Sequence, residues 1–191
     1  MTTTSPLTSA GRFTSKLPRV LTIAALAFAT TIGTTTLASP AQAASPFYEL
    51  VGLGSNKCVD IRIEDGAVNG ARAQLWKCYG SPNQRFTLQQ IGRTSAGRPY
   101  FQIISQAAPN LCLEVRDSSH SNGAQVDQSG CSQDGNKFWY WGSPNQGVNL
   151  PLVNLNSGKC LDVNANSTAN GARVQQWDCN RTTAQLWKTI Q

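Results

Sequence analysis

Residues 69–78 read NGARAQLWKC, residues 122–131 read NGAQVDQSGC and residues 170–179 read NGARVQQWDC. Each stretch opens on an Asn-Gly pair and ends on a cysteine nine positions later. Eight positions further on, each meets an aromatic (Phe86, Trp139 or Trp187). That aromatic closes a triplet: Gln84-Arg85-Phe86, Lys137-Phe138-Trp139 and Gln185-Leu186-Trp187. Upstream, each stretch is preceded by another cysteine that begins a short alternating run: Cys58–Ile61, Cys112–Val115 and Cys160–Val163. Agreement of this kind in three places is an internal repeat with a period of about 48 residues.

The repeat dictates the architecture. Runs such as Cys58–Ile61, Tyr100–Ile104 and Leu150–Val153 are rich in β-branched and aromatic residues and bounded by Asn, Gly, Ser and Pro, which marks strands. Asn-Gly pairs are turn signals. After residue 43 no segment sustains a helical apolar period. Four short strands cannot bury their own apolar face, so three repeats must close around one core. Twelve strands in pseudo-threefold arrangement make a β-trefoil, all-β, with repeats at about 47–95, 96–147 and 148–191. The triplet aromatics occupy equivalent places around the threefold axis and are predicted to be core residues rather than ligand platforms. Phe138-Trp139-Tyr140-Trp141 reads as a strand with alternate residues facing inward.

The N-terminus reads differently. Arg12, Lys16 and Arg19 precede an apolar stretch from Val20 to Gly33 and the small-residue sequence Ser39-Pro40-Ala41-Gln42-Ala43-Ala44. A basic region, a short apolar region and an A-x-A site describe a secretory signal peptide over 1–43, cleaved after Ala43. The apolar stretch is shorter than the roughly 20 residues a membrane-spanning helix needs, and it is interrupted by threonines. There is no twin arginine and no cysteine at the cleavage site, so general export is expected over a folded-protein route or a lipid anchor. The domain is then 44–191. It keeps 13 basic and 10 acidic residues, a net charge of +3 against +6 for the whole chain. Those charges are scattered, with no basic run for nucleic acid.

All six cysteines, Cys58, Cys78, Cys112, Cys131, Cys160 and Cys179, follow the cleavage site, and an even number in an exported chain implies disulfides. The repeat makes Cys58–Cys78, Cys112–Cys131 and Cys160–Cys179 the economical pairing. Pairing between repeats stays open, although it demands three different geometries. No two cysteines have metal-ligand spacing and the sole histidine is His120, so neither metal nor cofactor is expected.

On these motifs the sequence resembles the ricin-type B-chain lectins and the related family 13 carbohydrate-binding modules over essentially all of 47–191. The resemblance implies a β-trefoil with up to one sugar site per repeat, for galactose-type sugars or xylan-like glycans. It implies site residues in repeat one at Asp60, Gln74, Trp76, Asn83 and Gln84. In repeat three it implies Asp162, Gln175, Trp177 and Gln185, with Ala184 where an asparagine belongs and weaker or altered binding as a result. Repeat two departs throughout: Glu114 is one methylene longer, Asp127 replaces the glutamine, Ser129 removes the ring, and Lys137 leaves Asn136 alone. It reads as a structural copy without a sugar site. The chemistry agrees, since an aromatic ring covers the C–H face of a pyranose while carboxylate and amides hold its hydroxyls. The competing reading for Asp60 and Asp162 is a turn residue bonding its own backbone.

Other functions fit less well. Glycoside hydrolysis needs two carboxylates in opposed environments. Asp60, Glu64 and Asp65 are neighbours, but the stretch reads as a strand entering the turn Glu64-Asp65-Gly66. A Ser/His/Asp set would have to use His120, in a Ser- and Asn-rich loop. No catalysis is expected, and no catalytic domain fits beside this one. The alternative is a secreted trefoil protease inhibitor or protein-binding module, which shares fold and export but has no need for Asp, Gln, Trp and Asn-Gln to recur together. The partners expected are glycans or polysaccharides, with neither nucleic acid nor membrane insertion after cleavage, for a secreted, extracellular monomer. Asn166-Ser167-Thr168 and Asn180-Arg181-Thr182 are glycosylation sequons that matter only in a host that glycosylates.

Overall fold

The computed structural model describes residues 46–143 and 149–191. The signal-peptide reading and the boundary between the second and third repeats lie outside the described residues. Twelve strands follow in order: β1 Glu49–Gly52, β2 Lys57–Ile61, β3 Ala73–Trp76 and β4 Phe86–Arg93 from repeat one; β5 Pro99–Ser105, β6 Leu111–Val115, β7 Val126–Gly130 and β8 Phe138–Trp141 from repeat two; β9 Leu150–Asn154, β10 Cys160–Val163, β11 Ala172–Trp177 and β12 Leu186–Ile190 from repeat three.

The first and fourth strands of each repeat make a six-stranded antiparallel barrel, through β1–β12, β12–β9, β9–β8, β8–β5 and β5–β4. A bridge between Tyr48 and Phe86 closes the ring. The second and third strands of each repeat form hairpins, β2–β3, β6–β7 and β10–β11. These hairpins meet one another through Ala172 opposite Leu75, Arg72 opposite Asp127 and Gln125 opposite Gln175. The chain is a β-trefoil.

Strand alternation divides each hairpin into two faces. Val59, Ile61, Leu113, Val115, Leu161 and Val163 point inward and join Leu50, Ile103 and Leu152 of the barrel in one core. Phe86, Trp139 and Trp187 are fully buried there, as their threefold equivalence predicts. Both indoles donate to a backbone carbonyl, Trp139 Nε1 to Leu113 O and Trp187 Nε1 to Leu161 O, each at 3.0 Å. Truncating such a residue to alanine removes about 3–5 kcal/mol. In β8 the alternate residues Trp139 and Trp141 pack on the core as expected, but Phe138 is buried as well. The opposite face there is covered by the Tyr100 ring, 5.2 Å from that of Phe138, so both sides of this strand are shielded.

The disulfides are Cys58–Cys78, Cys112–Cys131 and Cys160–Cys179, the pairing within repeats. Each ties the start of a hairpin to the chain just past its end and contributes roughly 3 kcal/mol in the chain-entropy model.

Candidate functional site

In repeat one the register of β2 against β3 puts Asp60 opposite Gln74 and Cys58 opposite Trp76. Those four side chains share the hairpin face that does not enter the core. The disulfide then turns the chain back, and a single 3₁₀ turn, Pro82–Gln84, lays two amides over the Asp60 carboxylate. Asp60 Oδ1 accepts from Gln74 Nε2 at 3.0 Å, and Oδ2 accepts from Asn83 Nδ2 at 2.8 Å and Gln84 Nε2 at 2.9 Å. The two amides of the 3₁₀ turn are themselves anchored. Asn83 Nδ2 also donates to Ile61 O, Gln84 Nε2 to Lys77 O, and Gln84 Oε1 accepts the Tyr79 N–H. Asp60 is not a turn residue bonding its own backbone. Burial pushes its carboxyl above the ordinary 3.8, while the bonds from Gln74, Gln84 and Asn83 act in the opposite direction.

Asp60, Gln74, Trp76, Asn83 and Gln84 all line one cavity of about 290 Å³, with the indole of Trp76 half-buried at its side. Glu64, Tyr79 and Ser81 complete the wall. Sequence offered Glu64 only as a hydrolytic carboxylate and singled out neither Tyr79 nor Ser81, although Tyr79 carried a signal: it directly follows the second cysteine of its repeat, as Asn180 does in repeat three.

Repeat three rebuilds this arrangement with one part fewer. Asp162 faces Gln175 and Cys160 faces Trp177 across β10 and β11. Gln175 Nε2 donates to Asp162 Oδ1 at 2.9 Å and Gln185 Nε2 to Oδ2 at 3.1 Å. Ala184 supplies no third amide, and the cavity is larger, about 380 Å³. Asp162, Gln175 and Trp177 line it with Asn164, Asn166, Asn180 and Thr182, while Gln185 sits behind, holding the carboxylate. Burial raises the Asp162 carboxyl too.

Repeat two keeps the scaffold and changes the chemistry. Glu114 accepts from Asn136 Nδ2 at 3.1 Å and pairs with Lys137 Nζ at 2.9 Å, both charges being largely buried. Both contacts fall on Glu114 Oε2, and the adjacent ammonium neutralises the charge that Asp60 and Asp162 carry without a cationic partner among the described residues. Asp127, in the place of Gln74, is buried and paired with Arg116, and burial pushes its carboxyl up to about 6. Ser129 offers no ring. Of the residues weighed for hydrolysis, Asp60 and Glu64 line the same cavity. Glu64 is exposed and paired with Arg62, Asp65 pairs with Arg72, and exposed His120 lies against the Asn156 amide.

The comparisons with known proteins agree with the fold. A family model described as ricin-type beta-trefoil lectin domain matches residues 46–187. The fold is similar to that of ThreeFoil, a designed 3-fold symmetric protein, at 29% identity and TM-score 0.69, covering 76% of this chain and 98% of that one. It is similar to part of an exo-beta-1,3-galactanase from Clostridium thermocellum, at 26% identity and TM-score 0.68, covering 78% of this chain and 30% of the enzyme. A third likeness, of fold alone, is to the Macrolepiota procera ricin B-like lectin solved in complex with lactose, at 15% identity and TM-score 0.56, covering 78% and 97%. No curated protein matches the chain by sequence.

Proposed function

The chain belongs to the ricin-type β-trefoil lectin family, a family of carbohydrate-binding domains, and on that premise we propose that it is a secreted, non-catalytic binder of galactose-type sugars or xylan-like polysaccharides. The main site is that of repeat one, the weaker one that of repeat three. One observation carries the reading: a single buried carboxylate, fixed by three amides, opens with an indole onto one cavity. A pyranose presents an apolar C–H face and a rim of hydroxyls. Ring, carboxylate and amides meet those two demands. The likeness at 26% identity to part of a galactanase, an enzyme named for a galactose polymer, supports the same ligand class.

A Kd of about 1 mM for one such site would correspond to about −4 kcal/mol. Two linked sites on one polymer gain ~10²-fold or more without new contacts. Residues 1–43 are read as the export signal and 44–191 as the working domain; three disulfides favour the oxidising side of a membrane. The test is retention on insoluble galactan and xylan, competed with galactose and xylose, for the parent and Trp76→Ala. Retention by the parent, lost in the variant at nearly unchanged Tm, is the expected result. No retention on any glycan, or retention indifferent to Trp76, overturns it in favour of a protein-binding trefoil.

A further inference from the structure

Each repeat keeps its Asn-Gly pair, including repeat two, whose other site positions are lost. The contacts of these pairs cross between repeats. Gly171 N–H donates to Leu75 O at 2.8 Å, and Asn170 Oδ1 accepts the Lys77 N–H at 3.2 Å. The turn of repeat three thus grips the backbone of repeat one on both sides of Trp76. A Cβ on Gly171 would stand 3.8 Å from Trp76 Cζ3, so the indole rests against the glycine face.

The same staple recurs around the axis. Gly123 N–H donates to Gln176 O at 2.9 Å and Asn122 Oδ1 accepts the Asp178 N–H at 2.9 Å, bracketing Trp177. Asn122 Nδ2 adds a bond to Asp178 Oδ2 at 2.7 Å. A Cβ on Gly123 would lie 3.7 Å from Trp177 Cζ3. The third staple, Gly70 N–H to Gln128 O at 2.7 Å and Gly130 N–H to Asn69 Oδ1 at 2.9 Å, brackets Ser129, and nothing lies within 4 Å of a Cβ on Gly70. The three glycines have φ of +81°, +79° and +81°, a conformation in which glycine carries no Cβ penalty.

We propose that the Asn-Gly turns are positioning elements acting in trans: Asn170-Gly171 of repeat three sets the Trp76 platform of repeat one, and Asn122-Gly123 of repeat two sets the Trp177 platform of repeat three. The inference rests on Trp76 and Trp177 being sugar platforms. Backbone dihedrals select the side-chain rotamer, so fixing both peptide neighbours fixes the ring before a sugar arrives. A preset ring spares the ordering that binding otherwise demands. Repeat two, empty of its own site, is retained as the frame for its neighbour. The turn of repeat one frames only a serine, which supplies an internal control.

The experiment titrates lactose and xylotetraose into the full chain in two backgrounds, Trp177→Ala reading repeat one and Trp76→Ala reading repeat three. Asn170→Ala weakens the repeat-one site roughly three- to tenfold, the value of one side-chain hydrogen bond, and spares the other. Asn122→Ala does the reverse. Asn69→Ala lowers Tm comparably and leaves both affinities in place, and Asn170→Asp, which keeps the acceptor, restores most of the repeat-one affinity. Equal weakening by all three alanine variants, or unaltered repeat-one affinity in a destabilised Asn170→Ala, overturns the proposal. If Trp76→Ala alone fails to change binding in the parent, the sugar reading itself falls first and the proposal goes with it.

Discussion

Asn83→Ala isolates what holds the Asp60 carboxylate. The side chain is 9% exposed and gives two hydrogen bonds from one amide, to Asp60 Oδ2 at 2.8 Å and to Ile61 O at 3.1 Å. A bond to a charged group contributes about 1.5–3 kcal/mol and a neutral one about 0.5–1.5. The rotamer freedom regained by removing a fixed side chain offsets roughly 1 kcal/mol. A net loss of about 2 kcal/mol follows, or a Tm lower by roughly 4–8 °C for a domain of this size. Affinity of the repeat-one site falls at the same time, because the carboxylate loses one of its three anchors. The molecule contains the reciprocal experiment. At Ala184, buried at 5% exposure, asparagine would place its amide against Asp162 Oδ2 and the Val163 carbonyl. Ala184→Asn raises both the Tm and the repeat-three affinity. Scanning fluorimetry without reductant and titration with lactose read both quantities. A Tm unchanged by Asn83→Ala, together with unaltered binding, would falsify the account of Asp60 as an amide-held carboxylate.

Further outcomes follow from the same geometry. Burial raises the Asp127 carboxyl to about 6 from 3.8, so the native state binds its proton more tightly than the unfolded chain. Its stabilising contribution is complete below pH 3.8 and is lost as pH rises through about 6. Unfolding free energies from urea titrations therefore fall more steeply with pH across that window in the parent than in Asp127→Asn, by on the order of 3 kcal/mol in total, and parallel curves refute this. The raised Asp60 carboxyl must be ionised to accept sugar hydroxyls, so affinity declines with acidification at a pH above 3.8. Asp60→Asn binds weakly with no such decline, which titrations in a pH series will check. Trp187→Phe strands the Leu161 carbonyl that now receives the indole N–H and leaves a void, costing about 1–3 kcal/mol by chemical unfolding. Stability equal to the parent would mean that the buried indole bond is dispensable.

The fold was readable because threefold equivalence turns spacing into topology. Asn-Gly, cysteine and aromatic at matched intervals made the pairing of cysteines within repeats the economical one and pointed to one arrangement of strands. Asp60, Gln74 and Trp76 were legible as companions because a two-residue alternation puts them on one face of a hairpin. Ser81 was not, and Glu64 and Tyr79 were visible only as a neighbour of Asp60 and as the residue after a cysteine, since what gathers the three is the path of loops after β2 and after the disulfide. The burial of Phe138 escaped for a similar reason: its cover, Tyr100, belongs to the strand beside it and has no fixed offset in the chain. The ionic closure of repeat two was half visible. Lys137 and Glu114 could be seen to depart from their counterparts, but only the register of β6 with the following turn shows that each departure answers the other.

Strand β1 lies in register with β12, Glu49 opposite Ile190, so the barrel is stitched shut by the strands farthest apart in sequence. A ring joined in this way has no privileged starting point. Bridging 190 to 49 with a short linker and opening the chain in the Thr94–Arg98 turn would give a reordered polypeptide with the same neighbours everywhere. The same logic reads backwards in time: one segment, copied twice and joined head to tail, already holds every type of interface the finished molecule uses. Shared interfaces leave each repeat's outer face free to differ, as the ion pair in repeat two and the cradle in repeat one do.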